Sequence, residues 1–583
     1  MPQDIVREKV VDALRDALRR AKEHGQLKID SFPIVTLDPP KRPEWGDLAS
    51  TVALTLAPAE HRPPGVVAQI IVDNIHRGEQ IFERIEIARP GFLNLTIKRD
   101  LWLQVLFEID EQGDGYGRSD LGKGQRVLIE YVSANPTGPL HVGHGRGAAV
   151  GHAISNLLTV AGYNVVTEYY INDAGRQVRL LGASVYARYR ELHGLAGDVP
   201  EDGYHGTYVG ELARHIGERL GDRLLTLPAE DAEQRCRVLA GDELLEHIRA
   251  DLVQFGITFD SWFSETSLVN SGAVDRVLGE LRAKKLLFEE DGALWFRSSA
   301  FGDDKDRVVR KREGDLTYLA TDIAYHQDKL MRGYDALVDV WGADHHGYIP
   351  RMQAVVQAYG YPKDRLRVVL VQMVNVTRAG KKVEMSKRTG EFITLREVMD
   401  EVGADAAKFF FLMRRSDTQL DFDLELAKQQ SAENPVYYVQ YAHARLASLF
   451  RVAGERGIPI PKPKEADLTC LQDPDEFELI RKLSGYPSLL QSSVETLEPH
   501  RVTFYLQELA GLLHTFYYKH RIMPPAMDTE MAEDDLQQHA PQSQTREQVT
   551  GERTAARLVL MQQVRTVIRN GLAILGVSAP DRM

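Results

Sequence analysis

The chain has 583 residues, 43% of them hydrophobic and 27% charged; that balance belongs to folded water-soluble proteins rather than disordered or membrane-spanning ones, and the length exceeds what one hydrophobic core supports. With 71 Lys and Arg against 84 Asp and Glu, the formal net charge is −13, the wrong sign for coating nucleic acid through overall charge, so any RNA contact has to be local. The two cysteines, Cys236 and Cys470, stand far apart without a CxxC or HxxxH companion, which argues against a disulfide framework and against protein-bound zinc and leaves two buried thiols as the expectation.

The opening MPQDIVREKVVDALRDAL spaces its apolar residues for an amphipathic helix from Ile5 through Leu18. No apolar run approaches the roughly 20 residues that cross a bilayer and no export signal is visible, so a cytoplasmic protein without a membrane partner is expected. FLNLTI alternates as a strand does, making residues 1 to about 115 an α+β unit. GDGYGRSDLGKG carries five glycines between Gly113 and Gly124 and marks the first boundary. RVLIEYV then reads as a buried strand, Pro136, Gly138 and Pro139 interrupt it, and a helical pattern runs from Val142 to Val160. From about 185 to 310 the chain reads as an insertion. It holds the densest basic stretch, Lys305, Arg307, Arg310, Lys311 and Arg312, for which a phosphate-binding face and a solvated face carry equal weight. YDALVDVWGA and LRVVLVQMV return as buried strands, giving an interrupted doubly wound sheet. After about Ser431 the pattern is helical to the end, a bundle broken only by GIPIPKPKEAD and by a polar stretch from about Thr529 to Arg553, both expected as surface loops.

Within IEYVSANPTGPLHVGHGRGAAVG, His141 and His144 stand three apart at the opening of a helix, so both rings can face one side. Gly143, Gly145 and Gly147 remove side chains there, and a helix N-terminus offers unpaired N–H groups and the positive end of its dipole to phosphate oxygens. Two imidazoles at such a place can bind a pentacovalent phosphate more tightly than its ground state. A metal pair or two ordinary surface histidines are the alternatives that spacing alone leaves open. In VWGADHHGYIPR a strand runs into Gly342, Asp344, His345 and His346, where a doubly wound sheet places its ligands; the histidine pair also reads as a metal site, although no further ligand cluster accompanies it.

HVGH after a strand resembles the HIGH motif of class I aminoacyl-tRNA synthetases, and the segment around it is similar to the arginyl branch. VEMSKRTG at 383–390 resembles the KMSKS loop of that class, with Met385, Ser386 and Lys387 in place, Glu384 where the first lysine stands and Arg388 where the last serine stands. Lys381 and Lys382, just upstream, are candidates for the missing charge. RPEWGDLAST, PGFLNLTI, YINDAGRQ and NPVYYVQYAHAR extend the likeness over nearly the whole chain. The resemblance implies an α/β multidomain protein: an N-terminal additional α+β domain at 1–115 that meets the corner of tRNA, a Rossmann catalytic domain in two halves at 116–185 and 310–395, an insertion at 186–309, a linker at 396–430 and an all-α anticodon-binding bundle at 431–583. It further implies a monomer that activates L-arginine with ATP, supplied as the Mg²⁺ complex, and passes it to tRNA(Arg).

On that resemblance His141, His144, Ser386 and Lys387 are catalytic, and Gly143, Gly145, Gly342, Asp344 and Met385 bind ATP. A guanidinium presents a rigid fork of donors suited to carboxylates, and the likeness supplies Glu265 from FDSWFSETS with Tyr318 and Asp322 from LTYLATDIAY. Asn135 matches the position that holds the α-amino group, Glu130 stands behind it, and His345 joins the arginine set. Tyr438 and Tyr441 become base-stacking candidates, with core packing as the alternative, and Met583 lies near the anticodon. Among rivals, a cysteinyl-type synthetase lacks its zinc-ligand cysteines, a catalytically silent RNA-binding relative is kept open by the altered VEMSKR loop, and a small-metabolite nucleotidyltransferase would not need the long helical end.

Overall fold

Apolar residues every three or four positions bury one stripe of α1 (Ile5–Glu23), namely Val6, Val10, Leu14, Ala17, Leu18 and Ala21, and Asp4 caps it by accepting from the Arg7 amide at 3.0 Å. In this computed structural model, which describes residues 4–76, 78–378, 380–383, 392–524 and 551–583, that helix accompanies a small antiparallel sheet. Its strands are β1 (Leu48–Ser50), β2 (Phe82–Ala88) and β3 (Phe92–Ile97), in the order β1-β3-β2. The expected amino-terminal α+β unit is thus formed. Met385, Ser386 and Lys387, with Glu384 and Arg388, lie outside the described residues.

From β4 (Arg126–Glu130) the chain crosses through α2 (Val142–Val160) to β5 (Asn164–Ile171). Next come α3 (Arg176–Leu192), α4 (Thr207–Leu220) and α5 (Ala229–Gln254), which share a core around Leu181, Val185, Leu212, Ile216 and Cys236. The stretch expected as one insertion then returns to the central sheet. β6 (Ser261–Ser264) pairs parallel with β5, Trp262 stacks on Tyr169 and Phe263 on Tyr170, and α6 (Glu265–Asn270) comes immediately after. Four residues are too few to show a period, which is why this strand is hidden in the sequence. A second small sheet, β7 (Leu287–Glu290), β8 (Ala293–Phe296) and β9 (Arg307–Arg310), precedes α7 (Tyr318–Met331). The basic stretch there is partly neutralised, since Arg307 pairs with Asp303 at 2.8 Å and Arg310 with Asp275 at 3.0 Å.

β10 (Ala336–Gly342) and β11 (Leu366–Val371) complete a parallel sheet of order β11-β10-β4-β5-β6. Strand succession reverses between β4 and β10, and the crevice beyond their carboxyl ends is where such a sheet binds ligands. α2 lies so close to the sheet that a Cβ on Gly151 would sit 2.2 Å from the Tyr131 ring. Gly151→Ala is therefore expected to destabilise the fold by about 1–3 kcal/mol through overpacking, read as a lowered thermal midpoint; an unchanged midpoint would mean that Tyr131 can withdraw.

β12 (Val374–Arg378) and β13 (Lys381–Lys382) form a hairpin, and α8 (Leu395–Val402) and α9 (Ala404–Leu412) lead to β14 (Leu420–Asp423), which pairs parallel with β12. The helical end packs α10 (Pro435–Glu455), α11 (His500–Lys519) and α12 (Gly551–Ile574) together, with the Asn434 side chain capping α10 and Pro435 at its first position. Among the described residues no helix is long and apolar enough to cross a membrane. Cys236 is buried as expected. Cys470 is only partly so, because it closes a single 3₁₀ turn, Leu468–Cys470, begun by the Asp467 cap.

Candidate active site

α2 begins after the connection that follows β4, with His141 as its cap. Its Nδ1 accepts from the amides of Gly143 at 3.1 Å and His144 at 3.3 Å, and Nδ1 of His144 accepts from the His141 amide at 3.3 Å. The rings stack with centroids 3.6 Å apart and 18° between planes. An amide N–H can only donate, so the proton of each neutral ring sits on Nε2, the edge able to donate to a phosphate oxygen.

This arrangement corrects the expectation of unpaired amides at the helix start. Val142 N donates to Ile393 O and Gly145 N to His141 O, while Gly143 and His144 are taken by the His141 ring, so the anion-binding capacity rests on the two rings and the helix dipole. Gly145 is corrected as well. It is buried, and a Cβ there would meet Leu395 Cδ1 at 2.7 Å and Phe411 Cε2 at 3.1 Å, so its small size serves helix packing rather than ligand approach. Gly143 is constrained by the His141 ring, 3.0 Å from its Cβ position.

α2 is bound at two points to the chain beyond β11. Leu395 N donates to Leu140 O at 2.7 Å, and His141 bridges to Thr394, so the residues after the KMSKS-like stretch are hydrogen-bonded to the HVGH turn. Arg146, fully buried, donates to the carbonyls of Gln372, Thr418 and Arg415 at 2.8–2.9 Å, tying α2 to the chain entering β12 and β14; burial, only partly offset by the Asp417 charge, pulls its pKa down to about 10. Lys381 and Lys382 are exposed on β13.

The amino-acid side forms across the crevice. Glu265 opens α6 with 5% of its surface exposed, and the Asn172 amide, nitrogen toward it, donates to Oε2 at 2.7 Å. Burial first, and the Asp322 carboxylate second, push its pKa up to about 7. Burial likewise raises that of Asp322, partly offset by the Tyr348 hydroxyl, which donates to it. Neither carboxylate has an ion-pair partner among the described residues, so they form an acidic pair suited to a cationic ligand. Asp173 holds the start of α6 by accepting from Thr266 N at 2.8 Å.

Other expected residues are placed differently. Tyr318 heads α7 at 63% exposure, and it is Tyr348, not Tyr318, that touches Asp322. Asn135 lies beyond β4, its amide donating to Gln177 on α3. Glu130 does not face the crevice as a ligand would: Lys329 Nζ lies 2.5 Å from one oxygen and Ser133 donates to the other at 2.8 Å. Gly342 ends β10, where a Cβ would fall 2.6 Å from Asp344 Oδ1, and Asp344 and His345 are exposed at the crevice mouth. The sequence reading missed Asn172, Gln177 and Tyr348; the first two stand within YINDAGRQ, a segment already singled out.

In the helical end Tyr438 turns inward, its ring 4.6 Å from that of His514, so core packing, the alternative, describes it better. Tyr441 is exposed and stacks on Tyr437, which the sequence reading passed over, at 5.9 Å. The tail that carries exposed Met583 is docked rather than loose: His443 Nδ1 bonds Pro580 O at 2.9 Å and Gln440 donates to Ser578 O at 3.0 Å.

A doubly wound parallel sheet whose crevice holds a stacked His-x-x-His pair at a helix start is the arrangement of a class I aminoacyl-tRNA synthetase, and comparison with known proteins agrees. The family model described as the catalytic domain of tRNA synthetases class I (R) matches residues 109–446, the arginyl-tRNA synthetase N-terminal domain matches 5–97, and the DALR anticodon-binding domain matches 439–583. The arginine–tRNA ligase of Citrifermentans bemidjiense is 49% identical over 96% of this chain and 97% of its own length, and that of Syntrophotalea carbinolica 47% identical over 97% and 98%. A crystal structure titled a putative arginyl-tRNA synthetase from Campylobacter jejuni superimposes with a TM-score of 0.72 at 33% identity, covering 84% of this chain and all of that one. The Thermus thermophilus arginyl-tRNA synthetase shares the fold at 23% identity, with a TM-score of 0.72 over 99% of this chain and 100% of that one. The chain belongs to the arginyl-tRNA synthetase family and is accordingly a ligase that forms aminoacyl-tRNA.

Proposed function

We propose that this chain binds the guanidinium of L-arginine between Glu265 and Asp322, positions its α-amino group at Asn135, and brings its carboxylate to the α-phosphate of ATP beside His141 and His144. The acidic couple, without an ion-pair partner among the described residues, carries this reading, since two neighbouring carboxylates of which one is buried are costly until a cation meets them. A carboxylate oxygen of arginine attacks the α-phosphorus, the bond to pyrophosphate breaks, and the Nε2–H groups donate to the phosphoryl oxygens as charge builds on them. ATP enters as its magnesium complex, Ser386 and Lys387 hold its pyrophosphate end, and Gly342, Asp344 and His345 line the mouth. The arginyl group then passes to the terminal ribose of tRNA(Arg). The protein acts as a cytoplasmic monomer, with domains divided as the sequence reading placed them except that β6 (Ser261–Ser264), inside the stretch read as an insertion, belongs to the catalytic sheet.

Pyrophosphate exchange measured with each amino acid, with and without tRNA(Arg), tests this. Exchange with arginine alone of the twenty is expected; exchange with another amino acid overturns the specificity, and none at all in folded protein favours a silent relative. The tyrosines separate in a second assay. Tyr441→Ala is expected to raise KM for tRNA(Arg) about 5- to 100-fold, the loss of one stacked base, with an unchanged melting temperature. Tyr438→Ala is expected to lower the melting temperature instead. A KM unmoved by Tyr441→Ala would remove that residue from the RNA surface.

A further inference from the structure

Three carboxylates lie side by side across the middle of the central sheet: Asp339 on β10 pairs in register with Glu130 on β4, and Glu130 with Glu168 on β5. All three are buried, a row that is unfavourable unless cations meet it. α7 and its cap supply them. Lys329, fully buried, sets Nζ 2.5 Å from Glu130 and 2.8 Å from Asp339, and Arg332 forks onto Glu168 at 2.6 and 2.8 Å. His326 joins Asp339 Oδ2 to the backbone carbonyl of Asp322, 2.9 Å on each side. The charge lattice therefore fixes the turn of α7 that carries Asp322.

The same lattice reaches the loop before Asn135. Glu130 accepts from Ser133 Oγ at 2.8 Å, and that oxygen accepts from Tyr170 N at 3.1 Å. Val132 and Ser133 both hold left-handed backbone, with φ of +71° and +41°. For a β-branched residue that conformation is strained and persists only where its surroundings impose it. Tyr169 holds the next carbonyl, that of Ala134, at 2.8 Å. These successive left-handed residues direct the chain into Asn135.

We propose that Lys329 is a positioning residue for the amino-acid substrate: through Glu130 it holds the strained Val132–Ser133 turn that aims Asn135, and through Asp339 and His326 it sets Asp322, so that the two ends of the arginine site keep one spacing. This rests on the reading of Asn135 and Asp322 as arginine ligands. Lys329 itself touches no substrate. Its influence is geometric, and misplacing a binding group by a fraction of an ångström is enough to be felt in rate and affinity.

The test uses the full-length enzyme with tRNA(Arg) present. Lys329→Met leaves two buried carboxylates uncovered, so the double variant Lys329→Met/Asp339→Asn, which preserves net charge, is measured beside it. Its KM for arginine in pyrophosphate exchange is expected to rise about ten- to a hundredfold with KM for ATP within about twofold. Adding Val132→Gly should recover the share of that loss that runs through Asn135, because glycine adopts the left-handed turn without strain. His326→Gln, which cuts only the branch to Asp322 and leaves Lys329 in place, should raise KM for arginine without being rescued by that glycine. An arginine KM that stays unchanged, that moves together with the ATP value, or that Val132→Gly leaves wholly unrestored overturns the proposal. Asn135→Ala separates the two readings: if it leaves the arginine KM unchanged the ligand assignment fails, and if it raises it while the Lys329 variants do not, the positioning role fails.

Discussion

His144→Ala is expected to lower kcat for arginine-dependent pyrophosphate exchange about 10²- to 10³-fold, the usual effect of deleting one preorganised donor to a developing oxyanion, while leaving the Kd for arginine in place. The two histidines are not equivalent. His141 carries the helix cap, accepting from the amides of Gly143 and His144, so His141→Ala removes a donor and also uncaps α2, at about 1 kcal/mol of stability. His141→Asn restores an acceptor for those amides without restoring the Nε2 donor, and is expected to recover the melting temperature but not the rate. Because the rings stack and are proposed to donate to one phosphate, losses in the double variant should fall short of the product of the single losses. A His144→Ala enzyme with undiminished kcat would move the transition-state contact elsewhere.

The sequence made the frame of this site visible and concealed its fittings. Long elements with clear periods, such as α1, α2, β10 and the terminal helices, are placed as their apolar spacing predicts, and the HVGH segment stands at the carboxyl end of β4 as the doubly wound pattern requires. β6 was hidden because four residues carry no period, and with it the reason Glu265 reaches the crevice: it is the first residue after a strand of the central sheet. Hydrogen-bond partners were also hidden. That His141 takes up the amides of its own helix, and that Glu130 answers to Lys329 almost two hundred positions away, are facts of tertiary placement which no local window contains. Tyr348 supporting Asp322 from beyond β10 is another. Residue types were legible; which of two nearby tyrosines faces inward was not, since Tyr438 and Tyr441 differ by less than one helical turn and only the position of α11 decides between them.

Arginine binding is expected to weaken as pH falls below about 7, and Glu265 is the reason. Its carboxyl is pushed up to about 7 from an ordinary 4.5 by burial and then by the Asp322 charge, so in the arginine-free enzyme it is protonated over most of the acid range. A guanidinium needs the carboxylate and must expel that proton to bind. Apparent affinity is therefore flat above pH 7 and drops with a slope approaching about tenfold per pH unit below it. Folding has the opposite sign: a carboxyl whose folded pKa is raised contributes stability that is complete below its unfolded value and lost as pH rises through about 7, so the arginine-free protein loses stability there and arginine restores it by supplying the missing cation. Glu265→Gln should abolish both trends. At pH 8 it should weaken arginine binding about 10²- to 10³-fold, the scale of breaking a buried ion pair by removing one partner, and at pH 5.5 the gap to wild type should narrow. Calorimetric titration at pH 6 in buffers of different ionisation enthalpy reads the linkage directly: close to one proton released per arginine bound is expected, and none released would mean that the carboxylate meeting the guanidinium is already ionised at pH 6, which would remove Glu265 from that role.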